Sequence, residues 1–320
     1  MSRGNWLAMV VVFTVISGVG NLQAGTTGGF TGTFMRLTPD GMSAGLGGVT
    51  LFENASGYAF MHNPASLLET DRRIHAGAVK LSLDRYFYGI NVTMPLPPTA
   101  HIGIGILSAG TDNIPGRDSR GYYTGDLQDE ERLIGVSFAN DFSSRASVGI
   151  ALQIVQRVFT GEQNSWDLTA SGFGAGVGMM LKLTPAMTLS ASVQNVALKY
   201  NWNTQNQFTS GQGQSYTDEF PNLVAVGIRQ NLGNLQIMLQ VDDYLNGSEF
   251  QYRGGIVYSG WGNLVLRGGG QLMDDVILPG MSASYLLPFE FGPQIQIDLG
   301  FVVGIPGEGV RQYLSWEMEF

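Results

Sequence analysis

Beyond residue 73 the chain alternates, apolar then small or polar, with a period of two. Val148, Ile150, Leu152 and Ile154 alternate with Gly149, Ala151 and Gln153. Leu235, Ile237, Leu239 and Val241 alternate with Gln236, Met238, Gln240 and Asp242. Ile295, Ile297, Leu299 and Phe301 alternate with Gln294, Gln296 and Asp298. Successive side chains of a strand point to opposite faces, so each run has one greasy face and one small or polar face. The pattern predicts strands over 74–82, 86–96, 99–109, 131–140, 145–159, 168–183, 187–195, 219–230, 233–243, 248–259, 263–271, 279–287, 291–303 and 311–320. Several are long enough to cross a bilayer when tilted.

Polar residues recur inside these runs on the non-greasy face. Lys182, Arg229, Arg253 and Arg267 stand against Asp242, Asp298, Glu317 and Glu319 in charge. The core of a β-sandwich would penalise such groups heavily, whereas a wet or plugged lumen accepts them. The sequence therefore predicts an all-β fold, a transmembrane antiparallel β-barrel of about 14 strands, with these eight residues facing the lumen and some of them pairing across it. The connections support a barrel. Those after even strands are short, for example Pro97-Pro98 and Thr184-Pro185-Ala186, while the longest, near 110–130 and 196–218, follow odd strands. Bacterial barrels sort their loops in this way when both chain ends lie in the periplasm.

Composition narrows the picture. Charged residues are only 13% and Gly numbers 45, as befits a chain that is apolar on alternate positions. A net charge of −9 argues against a nucleic-acid partner. With no Cys there is no disulfide, thiolate metal site or lipid-anchored cysteine. Residues 1–24 read as an export signal: Arg3, an apolar stretch from Trp6 to Val19, then Leu22-Gln23-Ala24 before Gly25.

Residues 25–73 do not alternate. They are dense in Gly, Ser and Ala, with short helix-like stretches at Met42 to Gly45 and Asn63 to Leu68, and Asn63-Pro64 is a good helix start. Such a segment suits a plug packed against a glycine-lined wall. The chain accordingly divides into a leader (1–24), an N-terminal hatch in the lumen (25–73) and the barrel (74–320).

Three elements carry a resemblance to a known family. They are Gly41-Met42-Ser43-Ala44-Gly45-Leu46-Gly47-Gly48-Val49, Glu53-Asn54-Ala55-Ser56 and Asn63-Pro64-Ala65-Ser66-Leu67. Together they resemble the opening of FadL-type outer-membrane barrels, especially the PorV/PorQ branch; Ser66 stands where that pattern has Gly. The resemblance implies a 14-stranded barrel with an N-terminal hatch, in which Gly41, Gly45, Gly47, Gly48, Asn63, Pro64 and Ala65 have structural roles. It also implies binding or passage of small hydrophobic molecules or, alternatively, a PorV-like scaffold that binds secreted or surface proteins through its outer loops. Fatty-acid transporters have a lateral opening in the third strand; here 99–109 contains no Pro or other break.

The final run, with Trp316, Met318 and Phe320 at alternate positions, resembles the terminal signal read by the barrel-assembly machinery. Chemistry is sparse. His62, His75 and His101 lack metal-ligand spacing, and no nucleophile elbow or phosphate loop is present. The acidic stretch with Asp112, Asp118, Asp126, Asp129, Glu130 and Glu131 reads as a solvated loop. The expectation is a non-enzymatic protein of the Gram-negative outer membrane, without catalytic residues, metal or cofactor. Its expected partners are membrane lipid, the assembly machinery, and a hydrophobic small molecule or a secreted protein.

Overall fold

A computed structural model describes residues 31–52, 57–161, 168–203, 215–245, 249–273, 276–289, 292–304 and 309–320. The expected leader, 1–24, lies outside the described residues, as do 25–30 and the Glu53–Ser56 element. The strands are β1 (Arg73–Lys80), β2 (Arg85–Leu96), β3 (Ala100–Arg117), β4 (Tyr123–Asp141), β5 (Ala146–Gly161), β6 (Leu168–Thr184), β7 (Met187–Val196), β8 (Lys199–Asn203), β9 (Ser215–Glu219), β10 (Asn222–Leu232), β11 (Leu235–Leu245), β12 (Glu249–Trp261), β13 (Leu264–Met273), β14 (Val276–Leu286), β15 (Gln294–Val303) and β16 (Val310–Glu319).

From β1 to β7 and from β10 to β16 each strand pairs antiparallel with the next, and β16 returns to β1, with Arg73 opposite Glu319 and Lys80 opposite Gln312. The ring omits β8 and β9, because β7 pairs directly with β10. The result is a closed antiparallel barrel of 14 strands. Closure leaves no unpaired edge, the condition for strands in hydrocarbon. The alternation falls as the pattern requires. On β5, Val148, Ile150, Leu152 and Ile154 are each about half exposed on the outer face, while Ala151, Gln153 and Val155 are buried on the inner one. A continuous apolar band of this kind is costly in water and stable against lipid.

Two expected loops are in fact strand. The stretch 110–130 continues as the β3–β4 hairpin, so the connection shrinks to 118–122. Bulges interrupt its ladder between Thr111 and Ile114 and between Pro115 and Arg117. Where both faces of a hairpin are wet, backbone pairing persists but the period-two signal fades. The stretch 196–218 contains β8 and β9, a hairpin that joins β6 through Trp202–Ala170 and Asn201–Ser171. Asn195 and Ala197 both take positive φ, and the chain there turns Leu198, Tyr200 and Phe220 towards the core.

Residues 31–52 and 57–70 pack against the inward side chains of the barrel. They form a 3-10 turn at Thr33–Arg36, the helix α1 (Gly41–Gly45) and a second 3-10 turn at Pro64–Glu69. Asp40 caps α1 by accepting from the Ser43 amide at 2.7 Å. The helix ends in a Schellman motif: the Gly48 amide donates to the Ser43 carbonyl and the Gly47 amide to that of Ala44. Asn63 caps the second turn with Pro64 at its first position. The hydrophobic core lies between segment and wall. Phe34, Tyr58 and Phe60 meet Leu107, Leu133 and Val155, while Leu46, Leu51 and Phe52 meet Met180, Met238 and Val257.

Candidate functional site

The wall holds this segment through uncharged amides. Four inward-facing positions, on β2, β5, β7 and β11, carry Asn91, Gln153, Gln194 and Gln240. Asn91 donates to the Gly57 carbonyl at 2.8 Å, Gln153 to that of Phe60 at 3.2 Å and Gln194 to that of His62 at 3.0 Å. Gln240 works in the other direction and accepts from the amides of Thr50 and Leu51. The segment backbone has little regular structure of its own, so its buried carbonyls and amides need partners from elsewhere. A side-chain amide offers both donor and acceptor without a charge to desolvate. Asn63 adds donations to the Leu51 carbonyl and to Ser190 Oγ. Gly178 makes room for it; a Cβ there would lie 1.9 Å from Asn63 Oδ1.

Charged side chains sit at the margins and around Gly48. Arg229 grips Glu69 with both terminal nitrogens and lies over the Phe52 ring. Arg253 pairs with Asp242 at 3.0 Å and donates to the Gly48 carbonyl. Arg73 binds Glu317 and Glu319, each at 3.1 Å. Arg267 donates to Ser284, and Asp298 accepts from Ser315 and Gln296. Lys182 faces solvent at the end of the barrel that carries the short turns. Asp242 and Arg253 thus pair with each other, but on neighbouring strands rather than across the lumen. Arg229, Glu317, Glu319, Arg267 and Asp298 turn instead to Glu69, Arg73, Ser284, Ser315 and Gln296, none of them among the eight residues expected in the lumen.

Gly41, Gly45, Gly47 and Gly48 lie in or just after α1, and Pro64 and Ala65 begin the second turn. Trp316, Met318 and Phe320 point outward from the last strand, and the Phe320 amide donates to the Arg72 carbonyl. The stretch expected to be a solvated acidic loop is instead cross-braced. Arg157 pairs with Asp129 at 2.6 Å and Glu131 at 3.7 Å, Tyr200 donates to Glu131, and Glu130 pairs with Arg132. Parity alone marked Gln153 and Gln240 as inward; what it lacked was the segment backbone they serve.

Above the Thr33–Arg36 turn, at the end bearing the long β3–β4 hairpin, lies a cavity of about 420 Å³. Phe34, Leu37, Phe87, Met273 and Leu278 give it an apolar side. Arg36, Arg85, Arg157, Arg311, Gln251 and Gln271 give it a polar one. No group of His, Asp or Glu able to hold a metal is found among the described residues. Asp40 and His62 in the segment are shifted in opposite directions. Burial, reinforced by Asp298, pushes the Asp40 carboxyl up to about 6, although hydrogen bonds from Ser43 oppose the rise. Burial, reinforced by Arg253, lowers His62 to about 3 and keeps it neutral.

Neither a protein-family model nor a curated protein matches the sequence. Solved structures do. The toluene transporter TbuX of Ralstonia pickettii superposes with a TM-score of 0.66 at 14% identity, over 90% of this chain and 100% of its own. The monoaromatic hydrocarbon channel CymD gives 0.65 at 12%, over 91% and 99%. A FadL homologue of Pseudomonas aeruginosa gives 0.58 at 11%, over 88% and 97%. At such identities the likeness establishes the fold, and the chain folds as these structures do over about 90% of its length.

Proposed function

We propose that the chain is a non-enzymatic outer-membrane barrel that binds small hydrophobic molecules and passes them through a lumen filled by its own N-terminal segment, which serves as a hatch. The observation that supports this reading is the buried packing of residues 31–52 and 57–70 against inward side chains, with a cavity beside the Thr33–Arg36 turn. About 420 Å³ falls within the usual range for small-molecule sites. The likeness to barrels described as transporters and channels for toluene and monoaromatic hydrocarbons supports it. The apolar outer band and the outward-facing Trp316, Met318 and Phe320 fit assembly into the outer membrane after export. Within that reading, the resemblance of Gly41–Leu67 to PorV/PorQ openings is an argument for ancestry.

The test is uptake of a hydrophobic dye such as 1-N-phenylnaphthylamine by intact Gram-negative cells, whose outer leaflet excludes it. Cells that hold the folded protein should take up dye faster than cells with an empty vector. Equal rates, with the protein shown to be folded in the membrane, would remove the transport reading.

A further inference from the structure

A separate void of about 200 Å³ lies at the rim where β1 ends and β16 begins, at the end of the barrel that bears the β3–β4 hairpin. Lys80, Arg85 and Arg311 line it, together with Ser82 and Gln312. No carboxylate is among its described lining residues; Asp84, on the β1–β2 turn, is not one of them. Walls of a single sign concentrate the field between them and draw in a counter-charge. One of the three cations is held in place by the turn itself. Arg85 donates through Nε to the Ser82 carbonyl at 3.0 Å and through a terminal nitrogen to Ser82 Oγ at 3.1 Å.

The void sits at a definite height on the barrel. Lys80 and Gln312 face each other across the β1–β16 seam, one outward position beyond Ala78 and Leu314. Leu314 belongs to the apolar band and is about half exposed. On the other side of Lys80, Tyr86 stands opposite it and stacks on the outward Tyr88, with ring centroids 5.7 Å apart. Aromatic girdles mark the border between hydrocarbon and headgroups on such barrels. The lining is divided accordingly. Lys80, Val310 and Gln312 lie on the lipid side. Arg85 and Arg311 share the inward parity of Phe87 and Tyr313, and both also line the larger cavity.

We propose that this notch binds the phosphate of an outer-leaflet glycolipid. A phosphate monoester is compact, carries up to two negative charges and offers three strong acceptors, which suits guanidinium and ammonium groups converging on one small space. A zwitterionic headgroup would bring its own ammonium against the same cations. Free phosphate has the right chemistry, but it would leave the lipid-side wall unused. A lipid would lay its chains along the apolar surface at Ala78 and Leu314 while its phosphate entered the notch. Bound there, it bridges the first and last strands where the barrel closes. The inference rests on the outer-membrane reading above and not on transport.

Native mass spectrometry of the full-length protein, released from detergent after exposure to lipid A, tests the assignment. Bisphosphorylated lipid A should stay bound, and its dephosphorylated form should be retained about tenfold less, the factor that one charge-assisted bond supplies. Lys80→Gln should lower retention of the phosphorylated form by a similar factor of about ten, and Lys80→Arg should keep it. Lys80 is exposed, so both variants should fold, as heat resistance in detergent will show.

Equal retention of the two lipids, or full retention by Lys80→Gln, overturns the proposal. Displacement of lipid A by millimolar inorganic phosphate would make the notch a site for a free anion and overturn the lipid assignment. A membrane-embedded protein that retains neither lipid also overturns it. Recovery of the protein outside the outer-membrane fraction is a different result: it would remove the outer-membrane reading and the lipid site with it.

Discussion

Residues 57–69 join the wall through side-chain amides that reach backbone carbonyls, whereas Gly41–Gly48 lies against strands whose inward side chains are reduced to hydrogen at Gly255, Gly269 and Gly280. Both contacts are tight, but they resist motion differently. A buried amide–carbonyl bond contributes about 1 kcal/mol net, yet leaving it unmade costs about 1–3 kcal/mol, so it fixes one register. Dispersion between backbones is gained in small increments and lost without stranding a polar group. On the α1 side the directional bonds gather at identifiable points, such as Gly41 to Ser315 Oγ and Arg253 to Gly48. One barrel thus holds the segment by two kinds of contact, directional bonds on one side and close backbone packing on the other.

The largest break in this contrast should come from the side held by directional bonds. Arg229→Ala strands Glu69 and removes the cation over Phe52, and loss of one partner of a buried pair costs about 3 kcal/mol. The expected readout is protease cleavage near Glu69 with the barrel still resistant to heat in detergent. Next comes Gly47→Ala. It strains a left-handed position and places a Cβ 2.3 Å from the Gly270 backbone, which together should cost about 2 kcal/mol. Thermal melting should register the loss, and faster amide hydrogen exchange should be confined to α1. Gln153→Leu leaves the Phe60 carbonyl without its donor and should cost about 1 kcal/mol, with faster exchange in residues 57–62 only.

A further effect is one of pH, and it has opposite signs in the two halves. Asp40 is held above its ordinary value, near 6, so its contribution is complete below about pH 4 and is lost as pH rises through 6. His62 is held below its ordinary value, near 3, so its contribution is complete above about 6.5 and is lost as pH falls towards 3. Exchange near α1 should therefore quicken between pH 4 and 6 after correction for intrinsic rates. Exchange around His62 should slow over the same range. Parallel responses would show that the halves open together.

How far all this was legible in the sequence follows from where the signal lives. Period-two alternation is imposed by lipid on one face, so it located the barrel strands, from Ile74 to the outward Phe320, to within a few residues. It vanished where lipid ends. The β3–β4 hairpin above Gly110 and the β8–β9 hairpin were read as loops because both their faces are wet or folded against protein. Charge drew attention to Lys182 and Arg267, yet it is Asn91, Gln153, Gln194 and Gln240 that bond the backbone of Thr50, Leu51, Gly57, Phe60 and His62. An amide gives no sign in sequence of whether it faces water or a carbonyl, and the carbonyls it meets belong to a segment far away along the chain. Asn63-Pro64 was legible because helix capping is local. Glu69 was not, because its partner Arg229 lies 160 residues on.

The central claim is that the N-terminal segment closes the lumen, and planar-bilayer conductance tests it most directly. Full-length refolded protein should be silent, and a form lacking residues 25–70 should conduct steadily. Equal conductance from both forms would contradict the account and make the chain an open porin.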